Sequence, residues 1–167
     1  SAGFESLLAE HGSAWARRWR DAEVVIEGDP EAQLAARFAM FHLMANVGDQ
    51  DESGVGARGL TGSAYAGHVF WDADVFMLPM FAATHPLAAR AMLEYRIRRL
   101  PLARDLAARQ DKRGARFPWE SADTGEDVTP HVVRNPLGEN VLIRTGENEE
   151  HIVADVAWAA WHYAEWT

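Results

Sequence analysis

The amino-acid sequence predicts a mainly α-helical chain that carries one inserted β-hairpin. Apolar residues recur at helical spacing along most of the 167 residues. Prolines and an aspartate stand where several of these segments begin, as expected at helix starts. Residues 131–146 instead alternate apolar and polar side chains about an Asn-Pro-Leu-Gly turn, which predicts a hairpin. No repeat or low-complexity linker indicates a second domain.

The first two predicted helices are separated by a short extended stretch. Residues 4–22 carry leucines and tryptophans near helical spacing, and "EVVIEG" follows them. Asp29 then offers an N-cap and Pro30 a first helical residue. An apolar stripe at helical spacing before Gly48 makes this the clearest helix in the sequence: Leu34, Phe38, Phe41 and Met44 or Ala45.

The rest of the chain predicts a glycine-rich loop, three closely spaced helices, the hairpin and a last helix. The helix after the loop is apolar almost all round, which is typical of a helix buried between neighbours. Two prolines open the helices that follow it. The expected ranges are 49–67 for the loop, 70–83, 86–99 and 101–110 for the helices, 135–138 for the hairpin turn, and 148 for the start of the last helix.

Composition excludes several classes of function. Sixteen basic against 25 acidic residues give a formal net charge of -9, which repels nucleic acids and anionic lipids. The absence of cysteine excludes disulfides, thiolate nucleophiles and cysteine metal ligands. Charges interrupt every apolar run well before the roughly 18 residues that a membrane span needs. The sequence therefore predicts a soluble chain with no nucleic-acid or membrane partner.

The stretch "GLTGSAYAGHVFWDADVFMLP", residues 59–79, is the first candidate site. Its glycines permit a tight loop that brings ionisable and aromatic side chains together: Tyr65, His68, Trp71 and Asp72. A carboxylate beside an indole matches the hydroxyls and the apolar ring face of a sugar. The sequence therefore predicts a carbohydrate contact here.

Asp72 also has a structural interpretation, in which it caps a helix or pairs with Arg58. If the segment is helical, Asp72 and Asp74 point to nearly opposite sides and cannot share one substrate atom. Asp72 is then the better candidate, because it follows Trp71 directly.

The loop "RFPWES" is the second candidate, because Trp119 and Glu120 repeat the pairing of an indole with a carboxylate. Loop residues held by a rigid scaffold are often functional. The structural alternative is that Trp119 fills the space between two helices.

The third candidate is one face of the last helix, where a histidine and an aspartate stand four residues apart. Zinc proteases need two histidines at that spacing with an adjacent glutamate, and this pattern is missing. We expect His151 and Asp155 to hydrogen-bond to each other, and Glu149 and Glu150 to favour the positive end of the helix dipole. The face comprises His151, Asp155, Trp158 and His162.

Four blocks in fixed order carry a resemblance to a known family. They are "ARGLTGSAYAGHVFWDADVFMLPMF", "ARAMLEYRIRRLPLAR", "GARFPWESADTGEDVTP" and "EEHIVADVAWAAWHY". The blocks resemble the front half of the catalytic domain of glycoside hydrolase family 65, which contains maltose, trehalose, kojibiose and nigerose phosphorylases and acid trehalases. The upstream "DAEVVIEGDPEAQLAARFAMFHL" is similar too, so the likeness covers nearly all of the chain.

This resemblance implies a partial (α/α)6 toroid in which helix ends and loops surround a sugar pocket. It implies inverting phosphorolysis or hydrolysis of an α-glucosidic disaccharide, in which a glutamic acid protonates the departing oxygen and phosphate or water attacks the opposite face. Inorganic phosphate is the expected co-substrate, and no organic cofactor or metal is implied.

The resemblance also implies roles for individual residues. Trp71 and Asp72 line the pocket for the transferred glucosyl unit, while Trp119, Glu120 and Thr145 contact the leaving sugar. Five further residues orient these groups from behind: Arg58, Tyr65, His68, His151 and Asp155.

The sequence departs from the family in one respect. The family's catalytic acid lies in a "GPDEYHE"-like block, which we expect downstream of Thr167. No residue of this chain is therefore assigned as catalytic, and we expect the 167 residues to be a fragment of one helical catalytic domain, inactive alone and lacking its C-terminal half. Missing helices would leave apolar faces exposed.

Three functions stay open from the sequence: a phosphorylase of maltose, trehalose, kojibiose or a similar disaccharide, a trehalase-like hydrolase, and a non-catalytic helical module that binds a sugar or a protein. For the complete protein we expect a cytoplasmic location and consider a homodimer.

Overall fold

The computed structural model describes residues 3–60, Gly62 and 64–167, and it is mainly helical, as predicted. Thr61 and Ser63, within the predicted loop, lie outside the described residues. The chain divides into two compact units, residues 1–45 and 46–167. The helices are α1 (Phe4–Ala22), α2 (Pro30–Asn46), α3 (Leu78–Thr84), α4 (Pro86–Arg98), α5 (Leu100–Ala108), α6 (Thr145–Asn148) and α7 (Ile152–Trp166), and the strands are β1 (Val132–Arg134) and β2 (Asn140–Leu142).

The helix boundaries of the first unit follow the predicted signals. The Oδ1 atom of Asp29 accepts a hydrogen bond from the Ala32 amide at 2.9 Å, so the predicted N-cap is confirmed. The extended stretch before it is held by the side chain of Gln33, which accepts from the Ile26 amide at 2.7 Å and donates to the Val24 carbonyl at 3.0 Å. This stretch pairs with no strand among the described residues.

The predicted apolar stripe of α2 is only partly buried. Met44 is 1% exposed, whereas Leu34, Phe38 and Phe41 remain exposed. The ring of Trp15 in α1 stacks on Phe41 with centroids 5.0 Å apart, and Arg18 donates to the Met44 carbonyl. These two contacts lie near the carboxyl end of α2 and leave the rest of the stripe uncovered within this unit.

The second unit is built on three mutually packed helices, α3, α4 and α7. Leu78, Phe81 and Ile152 are completely buried at this junction. Burying each such side chain stabilises the fold by about 1.5–3 kcal/mol relative to exposure. The prolines that begin α4 and α5 are placed as predicted.

The predicted continuous helix over 70–83 is interrupted by a π-helical turn at Ala73–Met77, directly before α3. The Leu78 amide bonds to the Ala73 carbonyl, five residues back. Pro79 has no N–H to continue the ordinary pattern at this point, and the wider turn leaves Phe76 66% exposed. The expected all-round burial is therefore wrong for the first part of this segment.

The predicted hairpin is present, with β1 and β2 antiparallel and Val133 paired with Val141. In its turn, the Asn135 side-chain oxygen accepts hydrogen bonds from the amides of Leu137 and Glu139, at 3.0 and 2.9 Å. Gly138 has a φ of 82°, a conformation that glycine adopts without steric cost. Both strands are exposed.

The last helix begins at Ile152 and not at Asn148 as predicted. The short α6 ends at Asn148, and Glu149 has an extended backbone (φ -86°, ψ 96°) that breaks the helix. Glu149 and Glu150 consequently precede α7, and Glu150 pairs with Lys112.

Candidate functional site

A pair of backbone hydrogen bonds brings the first two candidate segments together. The Val69 amide donates to the Ser121 carbonyl at 2.8 Å, and the Ser121 amide donates back to the Val69 carbonyl at 3.1 Å. Val69 also bridges to Gly56, and Ser121 to Asp127, so four irregular segments lie side by side. Positions 71–72 and 119–120, far apart in sequence, therefore flank one short bridge.

These segments open onto a cleft of about 1010 Å³ in the second unit. The indoles of Trp71 and Trp119 have centroids 6.4 Å apart and planes inclined at 51°. The two indole and carboxylate pairs thus line one concave surface. The lining includes Trp71, Asp72, Trp119, Glu120 and Thr145, together with Arg58, Tyr65 and His68.

Asp72 is exposed in this cleft, and Asp74 is not. Asp74 is 4% exposed and forms a bidentate ion pair with Arg96, the shortest N–O distance being 2.6 Å. The two carboxylates thus lie on different sides of the segment, as predicted. Asp72 makes no side-chain cap hydrogen bond, and among the described residues no ion pair joins it to Arg58. Both structural alternatives for Asp72 are thereby absent from this arrangement.

Glu120 lines the same cleft but is 6% exposed. Its Oε2 atom lies 2.8 Å from Nδ1 of His68, and its amide donates to Oγ1 of Thr129 at 3.1 Å. The carboxylate is therefore held in a fixed direction, while Asp72 is free to rotate toward a ligand.

Trp119 both packs in the core and lines the cleft. Its ring lies against a buried apolar cluster that includes Phe117, Ile152 and Val156. Core packing and contact with a ligand are therefore compatible for Trp119, because the residue is only half-buried.

His151 stands behind the indoles and not in the cleft lining. Its ring meets those of Trp71 and Trp119 edge-on, with centroids 4.8 and 6.0 Å away. The predicted hydrogen bond to Asp155 is present, with Nδ1 to Oδ2 at 2.5 Å. This pair fixes the imidazole against the indoles from the amino end of α7.

One wall of the cleft has a constrained backbone. Tyr65 and Ala66 have φ values of 60° and 50°, in the left-handed region that residues with a Cβ rarely occupy. Such conformations cluster at functional sites. The guanidinium carbon of Arg58 lies 5.8 Å from the centroid of the Tyr65 ring, within cation–π range.

Thr145 also lines the cleft, shortly after the second strand of the hairpin. Its Oγ1 atom is buried and makes no hydrogen bond to the described residues. The next carbonyl along, that of Gly146, accepts a hydrogen bond from the buried Arg116 guanidinium. The backbone around Thr145 is therefore anchored, while its buried hydroxyl has no partner among the described residues.

Sequence reasoning missed the apolar part of the lining. This part includes Phe70, Val128, Pro130, Val133 and Ile143. Their side chains carry no chemical signature, and only the predicted hairpin could have indicated two of them, Val133 and Ile143. Among the described residues, no group of three or more His, Asp or Glu side chains could hold a metal ion, and no helix is long and apolar enough to cross a membrane.

Comparison with known proteins identifies the family. A model of the glycosyl hydrolase family 65 central catalytic domain matches residues 37–167. The chain belongs to glycoside hydrolase family 65.

Curated members of family 65 match almost the whole chain. It is 48% identical over 164 residues to a kojibiose phosphorylase of Caldanaerobacter subterraneus subsp. tengcongensis, covering 98% of the chain and 21% of the relative. It is 38% identical over 168 residues to the kojibiose phosphorylase of Escherichia coli, covering 98% and 22%. A kojibiose hydrolase of Flavobacterium johnsoniae is 40% identical over 161 residues, covering 96% and 22%. The chain therefore spans about a fifth of the length of these family 65 relatives.

A solved structure supports the family 65 fold. It is described as a candidate kojibiose phosphorylase from the human microbiome and superimposes with a TM-score of 0.83 at 23% identity, over 98% of this chain and 21% of that one. The mainly helical structure with one small antiparallel sheet is consistent with the predicted partial (α/α)6 toroid.

Proposed function

We propose that this chain forms part of the catalytic domain of an enzyme that phosphorolyses an α-glucosidic disaccharide with inversion, kojibiose being the first substrate to test. The observation that carries the proposal is the convergence of two indole and carboxylate pairs, Trp71 with Asp72 and Trp119 with Glu120, on one cleft. Family membership makes a glycoside-active enzyme the relevant class.

The chemistry of the cleft suits a disaccharide. An indole presents a flat apolar surface to the C–H face of a sugar ring, and a carboxylate accepts hydrogen bonds from two neighbouring hydroxyls. Asp72 is exposed and without a partner among the described residues, so it is available to the glucosyl unit that is transferred. Trp119, Glu120 and Thr145, which line the same cleft, are assigned to the leaving sugar.

The reaction follows from this assignment. Phosphate attacks the anomeric carbon from the face opposite the leaving sugar, the glycosidic C–O bond breaks, and a glutamic acid gives its proton to the departing oxygen. The products are β-glucose 1-phosphate and the free second sugar. The proton donor is assigned to a block downstream of Thr167, so we propose that residues 1–167 alone are inactive. Inorganic phosphate is the only co-substrate in this proposal.

Hydrolysis by the same cleft is the second candidate function. A kojibiose hydrolase is 40% identical to this chain, which is within the range of the phosphorylases. Water would then replace phosphate as the nucleophile, and the sugar contacts would be unchanged.

The test is an assay of the complete protein that contains these residues with kojibiose, nigerose, maltose and trehalose, with and without phosphate. Phosphate-dependent release of β-glucose 1-phosphate supports the proposal. Phosphate-independent release of glucose supports the hydrolase instead. No turnover of any disaccharide rejects both and favours a non-catalytic helical module.

A matched pair of variants connects the activity to the cleft. Asp72→Asn should lower turnover, whereas Asp105→Asn, at an exposed aspartate of α5 outside the cleft, should not. The proposed homodimer is tested on the same sample by light scattering, and the proposed cytoplasmic location by cell fractionation.

A further inference from the structure

The guanidinium of Arg96 is buried between the two segments that carry the cleft residues. Arg96 lies in α4 and is 2% exposed. It does not line the cleft. Its nitrogens nevertheless contact both segments, and each of the three nitrogens makes at least one of those contacts.

On the first segment, Arg96 binds both sides of the Trp71 and Asp72 pair. Nη2 donates to the Phe70 carbonyl at 3.0 Å, immediately before the pair. Nη2 and Nε also donate to the Asp74 carboxylate, at 2.6 and 3.1 Å, two residues after Asp72. The turn that presents Trp71 and Asp72 is therefore fixed at its two ends by one side chain.

On the second segment, Arg96 reaches Ser121, the residue after Glu120. Nη1 lies 3.5 Å from Oγ of Ser121. The neighbouring Tyr95 strengthens this link, because its hydroxyl lies 2.9 Å from the same Oγ and donates to the Ala122 carbonyl at 2.6 Å. Consecutive residues of α4 thus hold the loop that carries Trp119 and Glu120.

Stability alone does not account for this arrangement. A buried ion pair is often replaced by apolar residues at no cost, because the desolvation of two charges offsets their attraction. A planar guanidinium with donors in fixed directions does, however, set the geometry of several acceptors at once. Lysine has a single nitrogen on a flexible chain and cannot reproduce it.

We propose that Arg96 is a positioning residue that sets the separation and inclination of the two indole and carboxylate pairs. It acts through the Phe70 carbonyl, Asp74 and Ser121, and touches no substrate. This inference rests on the proposed function for the meaning of the geometry. A misplacement of about 1 Å in a reacting group can lower the rate by about 100-fold.

The test compares Arg96→Lys with Arg90→Lys in the complete protein. Arg90 lies on the same helix, but its side chain is 64% exposed, and Glu94, at 3.6 Å, is its one ion-pair partner among the described residues. Both variants keep the charge. We expect Arg96→Lys to raise KM for the disaccharide and lower kcat, with kcat/KM falling about 10- to 100-fold at unchanged folded fraction, and Arg90→Lys to match the wild type.

A merely structural role gives a different result. If Arg96→Lys reduces activity only in proportion to the folded protein, with KM unchanged, the positioning role is rejected. Ser121→Ala supplies a second variant, which removes the Oγ contacts with Arg96 and Tyr95 and no charge. It should raise KM in the same direction by a smaller factor, and an effect equal to zero would contradict the link to the second segment.

A crystal structure of Arg96→Lys separates this proposal from the proposed function. We expect the 6.4 Å spacing of the Trp71 and Trp119 rings to change by about 0.5 Å or more, the tolerance of a working site. An unchanged spacing rejects the positioning role even if the complete protein turns over every disaccharide. A wild-type protein inert to all disaccharides rejects the proposed function, and the ring spacing still decides the role of Arg96.

Discussion

Nδ1 of His68 lies 2.8 Å from Oε2 of Glu120, across 52 positions of sequence. Both side chains are largely shielded from solvent, with exposed fractions of 22% and 8%. The contact is thus less screened than a surface pair and links the glycine-rich loop to the loop of Trp119. It directs the Glu120 carboxylate within the cleft.

The first prediction concerns this pair. His68→Ala leaves the buried Glu120 carboxylate without its imidazole partner, at a cost of about 1–3 kcal/mol in stability. We expect a lower melting temperature of the complete protein and a raised KM for its disaccharide. Differential scanning fluorimetry and steady-state kinetics measure the two effects. His131→Ala, at an exposed histidine before the hairpin, is the control and should change neither.

The second prediction separates the two aspartates of "WDAD". Asp72→Asn should lower turnover. It should change the free energy of unfolding by no more than a surface substitution does, about ±0.5 kcal/mol. Asp74→Asn should mainly lower the stability of the fold, because Arg96 loses its buried counter-charge at a cost of about 3–5 kcal/mol. Loss of folding in Asp72→Asn would restore the structural interpretation of that residue.

Sequence reasoning succeeded where a signal is local. Asp29 and Pro30 mark a helix start, and Asn135 to Gly138 mark a turn, because the side chain or the ring fixes the backbone at that position. The predicted start of the last helix is four residues too early, because the extended backbone of Glu149 breaks the helix and no side chain indicates that break.

The residues of the candidate site also differ in whether a local sequence signal indicates them. The sequence indicates two pairs, Trp71 with Asp72 and Trp119 with Glu120, because each of these short motifs places an indole beside a carboxylate. Arg96 was not, since its partners lie 22 to 26 positions away and depend on how α4 packs. Periodicity indicates the apolar stripe of α2 without indicating what covers it, and most of that stripe is exposed.

The third prediction uses the hydroxyl of Thr145, which is buried and unpaired among the described residues. Thr145→Val keeps the shape and removes the hydroxyl. Because a buried polar group without a partner costs free energy, the variant should be as stable as the wild type or more so. If Thr145 contacts the leaving sugar, KM should nevertheless rise. A stabilised variant with unchanged KM would remove Thr145 from the site.

The last prediction concerns pH. Burial raises the pKa of the Asp74 carboxyl, and the charge and hydrogen bonds of Arg96 oppose that rise. Arg96→Met removes the opposing charge, so the folded variant binds a proton at Asp74 more tightly than the unfolded chain does. A raised pKa in the folded state gives a contribution to stability that is complete below the ordinary aspartate pKa, about 3.9, and is lost as pH rises through the folded-state value.

Arg96→Met should therefore lose more stability relative to the wild type at about pH 7.5 than at about pH 5. Melting temperatures of both proteins across this interval measure the difference. Arg96→Met combined with Asp74→Asn, compared with Asp74→Asn alone, is the matched control, because neither protein has a carboxyl to titrate at position 74 and the loss caused by Arg96→Met should not vary with pH. A deficit in Arg96→Met that stays constant with pH would mean that Asp74 keeps its charge without Arg96, and hence that water or another cation reaches it when the guanidinium is gone.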